Sequence, residues 1–339
     1  MNAGVGVRSM ALTGYPGWFS EALMRHLASL TVPPTRMVVL CQPDRLEQST
    51  FPTVAWAQDT VPFDLANPTK VAQRLEGVDV LIHAAGVIHV SRTQDWYAIN
   101  HIGTVALARE AKKAGVRRFV FLSSIAAAGV SRPGRPMRES DEARPLHHYG
   151  RSKLLAEKDL LAMHEPGAFE VVILRPATFY GPPVPPRHIT FYHRILGGPI
   201  PLIGTGGYER CMIYVDNLVE AALLAASHPR AGGNVYFIVD DEIYTTRSIF
   251  EAMARALNTE ARFLPLPSSF GTACYHLDGL LSRANIYVQP IHLLGESNWN
   301  QAATCEKAAR ELGYAPKVRL NEGMRIAIDW CREKGLVAL

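Results

Sequence analysis

Five consecutive residues, Tyr149-Gly150-Arg151-Ser152-Lys153, set a phenol and an ammonium four positions apart. On a helix that spacing puts both on one face. A phenol titrating near ~10 is a poor base at neutral pH. An ammonium at about 4 Å contributes about 4 kcal/mol at an effective dielectric of 20, the equivalent of about three pKa units. Lys153 is therefore expected to bring Tyr149 towards operating pH, where it can take or give a proton. Taken alone, such a pair is also an ordinary exposed helix face. Ser123-Ser124 closes the apolar run Phe119-Val120-Phe121-Leu122. Hydroxyls at the end of a parallel strand stand where open α/β sheets bind ligands, although serines also commonly terminate strands. A third signal is Thr13-Gly14-Tyr15-Pro16-Gly17-Trp18-Phe19-Ser20, between a strand-like and a helix-like run. A glycine turn there brings backbone N–H groups and a helix N-terminus onto a pyrophosphate. Its bland alternative is a tight βα turn, and Ser20 stands where a third glycine is usual.

Elements of alternating type must position these groups. Val5–Thr13, Met37–Cys41, a short run at Val54–Ala57, Val78–His83, Phe119–Ser123 and Val171–Arg175 read as strands. Trp18–Leu30, a stretch near Pro68–Leu75, Asp95–Ala114 and Tyr149–Met163 read as helices. Short apolar strands alternating with helices indicate a parallel sheet covered on both faces. Gly181–Pro186 (GPPVPP) marks a boundary. Beyond it, Val235–Val239 reads as a strand returning to the main sheet, and Ser248–Leu257 and Cys305–Leu312 as helices.

Composition narrows the class. The 339 residues are 48% hydrophobic and 19% charged, which excludes a disordered or fibrous chain. Lys and Arg number 35 against 31 Asp and Glu, too even for a nucleic-acid stripe. No apolar run reaches the ~18–20 residues of a membrane helix. Five cysteines without CxxC spacing point to a reducing cytoplasm rather than disulfides or zinc. Neither HExxH nor a two-His-plus-carboxylate spacing is present, so no metal is expected; His147 and His148 read as loop residues beside the site.

In order, TGYPGWFS, Asp64-Leu65, His83-Ala84-Ala85-Gly86, Asn100, Ser124, YGRSK, Leu174-Arg175-Pro176, Tyr180-Gly181-Pro182, Val215-Asp216-Asn217 and Leu312-Gly313-Tyr314 resemble the extended short-chain dehydrogenases/reductases, the NAD(P)-dependent epimerase/dehydratase family. The resemblance spans nearly the whole chain. It implies a Rossmann-type doubly wound parallel α/β sheet with a smaller C-terminal substrate-binding lobe. The dinucleotide-binding part would be residues 1–180, with 212–240 returning to it; 181–211 and 241–339 would form the lobe. It implies a catalytic Ser124, Tyr149 and Lys153, with Lys153 also on the nicotinamide ribose. Gly14, Tyr15, Pro16, Gly17, Trp18, Arg45, Asp64, Leu65, Ala84, Ala85, Gly86 and Pro176 would join Tyr149 and Lys153 around the cofactor. Asn100 would be a structural bridge, and two long helices would pair in a homodimer, with Leu154, Leu155 and Leu161 as candidates for burial.

The second strand ends without an acid at Cys41-Gln42 and has Arg45 nearby, which leans the cofactor from NAD to NADP. Ser124 is followed by Ile125-Ala126 rather than an acid pair, which disfavours dehydration. Reversible hydride transfer at a secondary alcohol, ketone or aldehyde carbon is the leading expectation. Arg210 is the candidate for a substrate phosphate and keeps a nucleotide-sugar 4-epimerase in view. The stretch His292-Leu293-Leu294-Gly295-Glu296 lacks a second cation for a pyrophosphate. A non-catalytic NAD(P)-binding regulator is the remaining alternative.

Overall fold

The computed structural model describes residues 7–46, 54, 56–68 and 71–337. Seven strands form one parallel sheet: β1 (Ser9–Tyr15), β2 (Arg36–Cys41), β3 (Ala57–Pro62), β4 (Val80–His83), β5 (Arg118–Leu122), β6 (Glu170–Pro176) and β7 (Asn234–Ile238). Their spatial order is β7-β6-β5-β4-β1-β2-β3. The direction of winding reverses between β4 and β1, which opens a crevice at the carboxyl ends of those strands.

Side-chain alternation explains why central runs such as Val38–Leu40 and Phe119–Leu122 are apolar at every position. Met10, Leu12, Met37, Val39, Val80, Ile82, Val120, Leu122, Val172 and Leu174 face one core. Their neighbours Ala11, Val38, Leu40, Leu81, Phe119, Phe121, Val171 and Ile173 face the other. Helices cover both sides, so neither set meets water. α1 (Trp18–Ala28) buries Phe19, Ala22, Leu23, Met24 and Leu27 on the first face. α2 (Thr104–Lys113) and α3 (His148–Ala162) seal the second through Leu107, Ala108, Ala111, Ala156 and Leu160. Ser20 is buried and its Oγ donates to the Thr13 carbonyl at 3.3 Å, so a small residue there lets α1 sit on β1.

Several sequence expectations shift. The first strand begins at Ser9 and runs two residues further than expected, to Tyr15; positions 5 and 6 of its expected start lie outside the described residues. The strand expected at Val54–Ala57 instead runs Ala57–Pro62, pairing with β2 from Arg36↔Ala57 to Cys41↔Pro62. That strand is a sheet edge with a half-polar sequence, so hydrophobicity could not set its register. The stretch near Pro68–Leu75 shortens to a helix at Ala72–Leu75, with 69–70 outside the described residues. The helix expected at Asp95–Ala114 has a π-helical segment, Tyr97–Gly103, ahead of α2. Within it the buried Asn100 accepts from Val87 N and donates to Val87 O, each at 2.8 Å, which ties helix to loop.

After β6 the chain builds a second core around Tyr180, Tyr192, Ile195, Tyr214, Met324 and Ile328. Tyr192 and Ile195 of α4 (Pro186–Gly197) join it, whereas α5 (Val215–Ser227) packs on the first face of the sheet and α6 (Ser268–Arg283) and α7 (Gln289–Glu296) form a hairpin outside it. Sequence reading missed these four helices. Pro186 sits in the first turn of α4, where a missing N–H costs nothing, so the proline-rich run starts a helix as well as ending a strand.

Candidate functional site

The strand ends converge on a cleft of about 380 Å³. Gly14, Tyr15, Pro16, Gly17 and Trp18 line it from the β1–α1 turn, and Gln42 and Arg45 from the end of β2. Asp64 and Leu65 follow β3; Ala84, Ala85 and Gly86 follow β4; Tyr149, Lys153 and Pro176 close the inner end. These residues are spread along the chain from Gly14 to Pro176 and meet because parallel strands all end at one side of the sheet.

Glycine is required where backbones nearly touch. Gly14 has φ +87°, and a Cβ there would stand 2.8 Å from Ala85 N. A Cβ on Gly86 would lie 2.9 Å from Asn100 Oδ1 and 3.3 Å from Lys153 Nζ. Thr13 holds the same two turns together: its Oγ1 accepts from Ala84 N at 3.2 Å and Ala85 N at 3.0 Å. The Thr13 hydroxyl proton is then directed to His83 Nδ1 at 2.7 Å. His83 is thereby assigned as the neutral tautomer protonated on Nε2, which donates to Thr104 Oγ1 at 2.9 Å. Burial, reinforced by the charge of Lys153, pushes the His83 imidazolium well below its ordinary range. A glycine turn and the N-terminus of α1 stand together at the cleft, an arrangement of backbone N–H groups that suits an anion.

Ser124 and Tyr149 are brought together. The Ser124 hydroxyl is near enough to the Tyr149 phenol to favour its ionised form, although Ser124 is not among the residues lining the cleft; its Oγ accepts from Ala126 N at 3.2 Å. Ser123 is directed elsewhere: its Oγ donates to the buried Glu157 carboxylate. Arg175 completes that network, with Nε to Glu157 Oε1 at 3.0 Å and Nη2 to Oε2 at 2.6 Å. Lys153 is buried one turn before Glu157; its Nζ donates to the Leu122 carbonyl at 3.1 Å and lies 4.6 Å from the centre of the Phe121 ring.

The expected lowering of the phenol is reversed in this state. Burial pushes Tyr149 up to about 12, with the Glu296 charge adding to it; the Ser124 hydroxyl and the Arg187 charge oppose that only in part. Burial brings Lys153 down to about 8, against the attraction of Glu157. The ammonium spends its hydrogen bond on Leu122, so desolvation outweighs the through-space attraction that spacing alone suggested.

Arg187 is a residue that sequence reading missed. It lines the cleft, its guanidinium lies 5.9 Å from the Trp18 ring centre, and its charge reaches Tyr149. Trp18 is fixed by its Nε1–H, which donates to the Gly181 carbonyl at 2.8 Å. No motif signalled Arg187; only the folding of α4 over the cleft places it there. Arg210 is not among the residues lining this cleft. Its Nη2 donates instead to the Glu296 carbonyl at 2.9 Å.

A second cluster lies beside Tyr149. Asp278 Oδ2 faces His147 Nδ1 at 3.3 Å and His292 Nδ1 at 3.0 Å. Burial alone would raise the Asp278 carboxyl, but hydrogen bonds from His147 and His292 outweigh it and hold the group below the usual carboxylate range. His147 precedes α3 while Asp278 and His292 belong to the distant α6 and α7, a separation no spacing motif detects.

Comparison with known proteins follows the same outline. Residues 10–238 match the description "NAD dependent epimerase/dehydratase family". A UDP-glucose 4-epimerase of Vibrio cholerae is 30% identical over 270 residues, 77% of this chain and 79% of that protein. The 4-hydroxy-2-methyl-3-oxo-4-farnesyl-3,4-dihydroquinoline-1-oxide ketoreductase of Stigmatella aurantiaca is 27% identical over 327 residues, 92% of this chain and 93% of its own. Among solved structures, MoeE5 in complex with UDP-glucuronic acid and NAD superposes with a TM-score of 0.74 at 23% identity, covering 96% of this chain and 99% of that one, which shows a shared fold. No helix among the described residues is long and apolar enough to cross a membrane. With its parallel sheet, its glycine cradle and this match over more than half its length, the chain is an enzyme of the NAD dependent epimerase/dehydratase family.

Proposed function

We propose that this enzyme transfers hydride reversibly between a nicotinamide cofactor and a secondary alcohol, ketone or aldehyde carbon, as a dehydrogenase or reductase. The observation that carries the reading is that Tyr149 and Lys153 share the wall at the inner end of the cleft, with the Ser124 hydroxyl near enough to the phenol to oppose its rise. Ser124 would orient the substrate oxygen and Tyr149 exchange its proton. Lys153 would hold the cofactor ribose and supply positive charge once its contact with Leu122 is shared. The cofactor, when bound, supplies the hydride acceptor or donor. Ile125 and Ala126, following Ser124, offer no acid or base for eliminating water.

Two features favour a substrate without a diphosphate. Arg210 is engaged by the Glu296 carbonyl, and α7 carries Leu293 and Leu294 where a second cation would help. The ketoreductase relative, matched over 92% of this chain, agrees with that preference. A nucleotide-sugar 4-epimerase is the second reading, supported by Arg187 at the cleft and by the UDP-glucose 4-epimerase relative. Absorbance at ~340 nm separates them across a panel of hydrophobic ketones and nucleotide sugars, since only a reductase gives net cofactor turnover. Interconversion of two sugar nucleotides without net absorbance change, abolished by Arg187→Ala or Arg210→Ala, would replace the first reading with the second.

For the cofactor we propose that NADP is accepted at least as well as NAD. Cys41 and Gln42 end β2 without a carboxylate, and Gln42 and Arg45 line the cleft. Arg45→Ala is expected to weaken NADPH by roughly ten- to a hundredfold, the effect of losing a charge-assisted hydrogen bond of about 1.5–3 kcal/mol, and to leave NADH unchanged. Fluorescence titration of both cofactors checks this; a strong NADH preference indifferent to the change would reverse it.

The assembly proposed is a C₂ homodimer through α3 and the helix ahead of α2. Leu155 is 39% exposed and Ile102 63%, which leaves apolar groups on both for a partner copy. Leu161 packs against the core of its own chain, so it leaves the set of expected interface residues. Sedimentation at micromolar concentration is expected to give twice the chain mass, and a monomer there contradicts the assignment. Cytoplasmic residence is proposed from the five cysteines, all buried and none joined in a disulfide.

A further inference from the structure

We infer that His147, Asp278 and His292 form a binding site for a divalent cation of the zinc class, clamping the α6–α7 hairpin to the N-terminus of α3. The ligand atoms already stand within 4.8 Å of one another. Tetrahedral zinc with bonds of about 2.0–2.1 Å sets its ligands about 3.3–3.4 Å apart. Asp278 Oδ2 lies 3.3 Å from one imidazole nitrogen and 3.0 Å from the other, so two edges of such a tetrahedron exist before an ion enters.

Mutual hydrogen bonding does not account for all the polar atoms. The Asp278 side chain is 4% exposed, yet its Oδ1 has no hydrogen-bond partner among the described residues, and neither does the buried His147 Nε2. A buried unpartnered polar atom costs about 1–3 kcal/mol. A carboxylate that binds a cation through both oxygens uses Oδ1. A flip of the His147 ring lets either nitrogen serve as the donor.

The surroundings suit a cation with one open position. His147, His292, Glu296, Tyr149 and Gly150 line a cavity of about 20 Å³, enough for one water to complete the coordination. Asp278 and Glu296 supply two negative charges, partly offset by Arg210 at Glu296. Imidazole and carboxylate donors without thiolate select zinc or a neighbouring first-row ion over calcium or magnesium. His147 caps the start of α3, two positions before Tyr149. An ion there would therefore join the helix bearing Tyr149 and Lys153 to the lobe that covers it. This role is positional, with the ion outside the hydride-transfer chemistry, and it does not depend on which substrate the enzyme takes.

The test uses the full chain, stripped with chelator and titrated with Zn²⁺ by calorimetry, with elemental analysis of the dialysed product. One zinc per chain is expected, with a rise in the thermal unfolding midpoint. Asp278→Asn and His292→Gln are each expected to weaken zinc at least ~100-fold, since even loss of a group that only orients a ligand costs 10–100-fold. Uptake by the wild type no greater than by the two variants overturns the proposal. Should the variants not fold, Co²⁺ added to the wild-type protein decides. Visible bands without a sulfur-to-cobalt charge-transfer band are expected. The absence of such bands, or a thiolate signature from the cysteines, overturns the site.

Discussion

Tyr149→Phe is expected to reduce turnover by 10²–10⁴-fold while leaving the fold and cofactor affinity nearly unchanged. The ring of Tyr149 packs at the edge of Trp96, with centroids 6.4 Å apart, and phenylalanine keeps that contact. What disappears is the hydroxyl near Ser124 that would carry the transferable proton. Burial pushes the phenol up to about 12, so the protonated form that carbonyl reduction draws on is the resting one. Working in the oxidising direction requires more positive charge nearby, which Lys153, a bound cofactor and Arg187 would provide together. Steady-state rates in both directions, beside a cofactor titration, check the expectation. A variant with the wild-type rate on an authentic substrate removes Tyr149 from the chemistry.

Arg175→Ala carries the largest expected effect on stability, a loss of about 3–5 kcal/mol. The change leaves the Glu157 carboxylate, 2% exposed, without its guanidinium partner. The Ser123 hydroxyl then remains to satisfy it. Replacing both charges, as Arg175→Met with Glu157→Met, is expected to recover much of the loss, because the pair's attraction roughly offsets the cost of burying it. Urea unfolding midpoints of the three proteins decide the matter. A single variant within ~1 kcal/mol of wild type would show that water reaches Glu157 and the pair is not dry. The network also backs the site, since Glu157 lies one turn beyond Lys153 and opposes the loss of its charge.

The order of strands and helices in the first half and the double-faced burial of the sheet were legible in the sequence, whereas cleft residues such as Asp64, Leu65, Ala84 and Pro176 were named only through the family resemblance. Strands such as Phe119–Leu122 are apolar at every position because both faces are covered, and glycine turns follow where the backbone must reverse closely. Local patterns carry such information because each depends on residues a few positions apart. The register of β3 was not legible, because an edge strand with polar alternation presents no strong hydrophobic constraint.

What only the tertiary structure decided concerns groups that meet from distant segments. Spacing placed Tyr149 and Lys153 on one face, but desolvation in the folded chain determined that the phenol is raised and the ammonium lowered. Ser123 and Ser124 are equivalent in a string of letters; the turn after β5 sends the first to Glu157 and leaves the second accepting from Ala126 N, near the Tyr149 phenol. Arg187 entered the cleft wall and Arg210 turned to Glu296 because of how the lobe packs. His147, Asp278 and His292 converge through a loop and two helices whose separation along the chain holds no periodicity. Electrostatics and coordination depend on distance and burial in three dimensions, and neither quantity is encoded in the spacing of residues along a line.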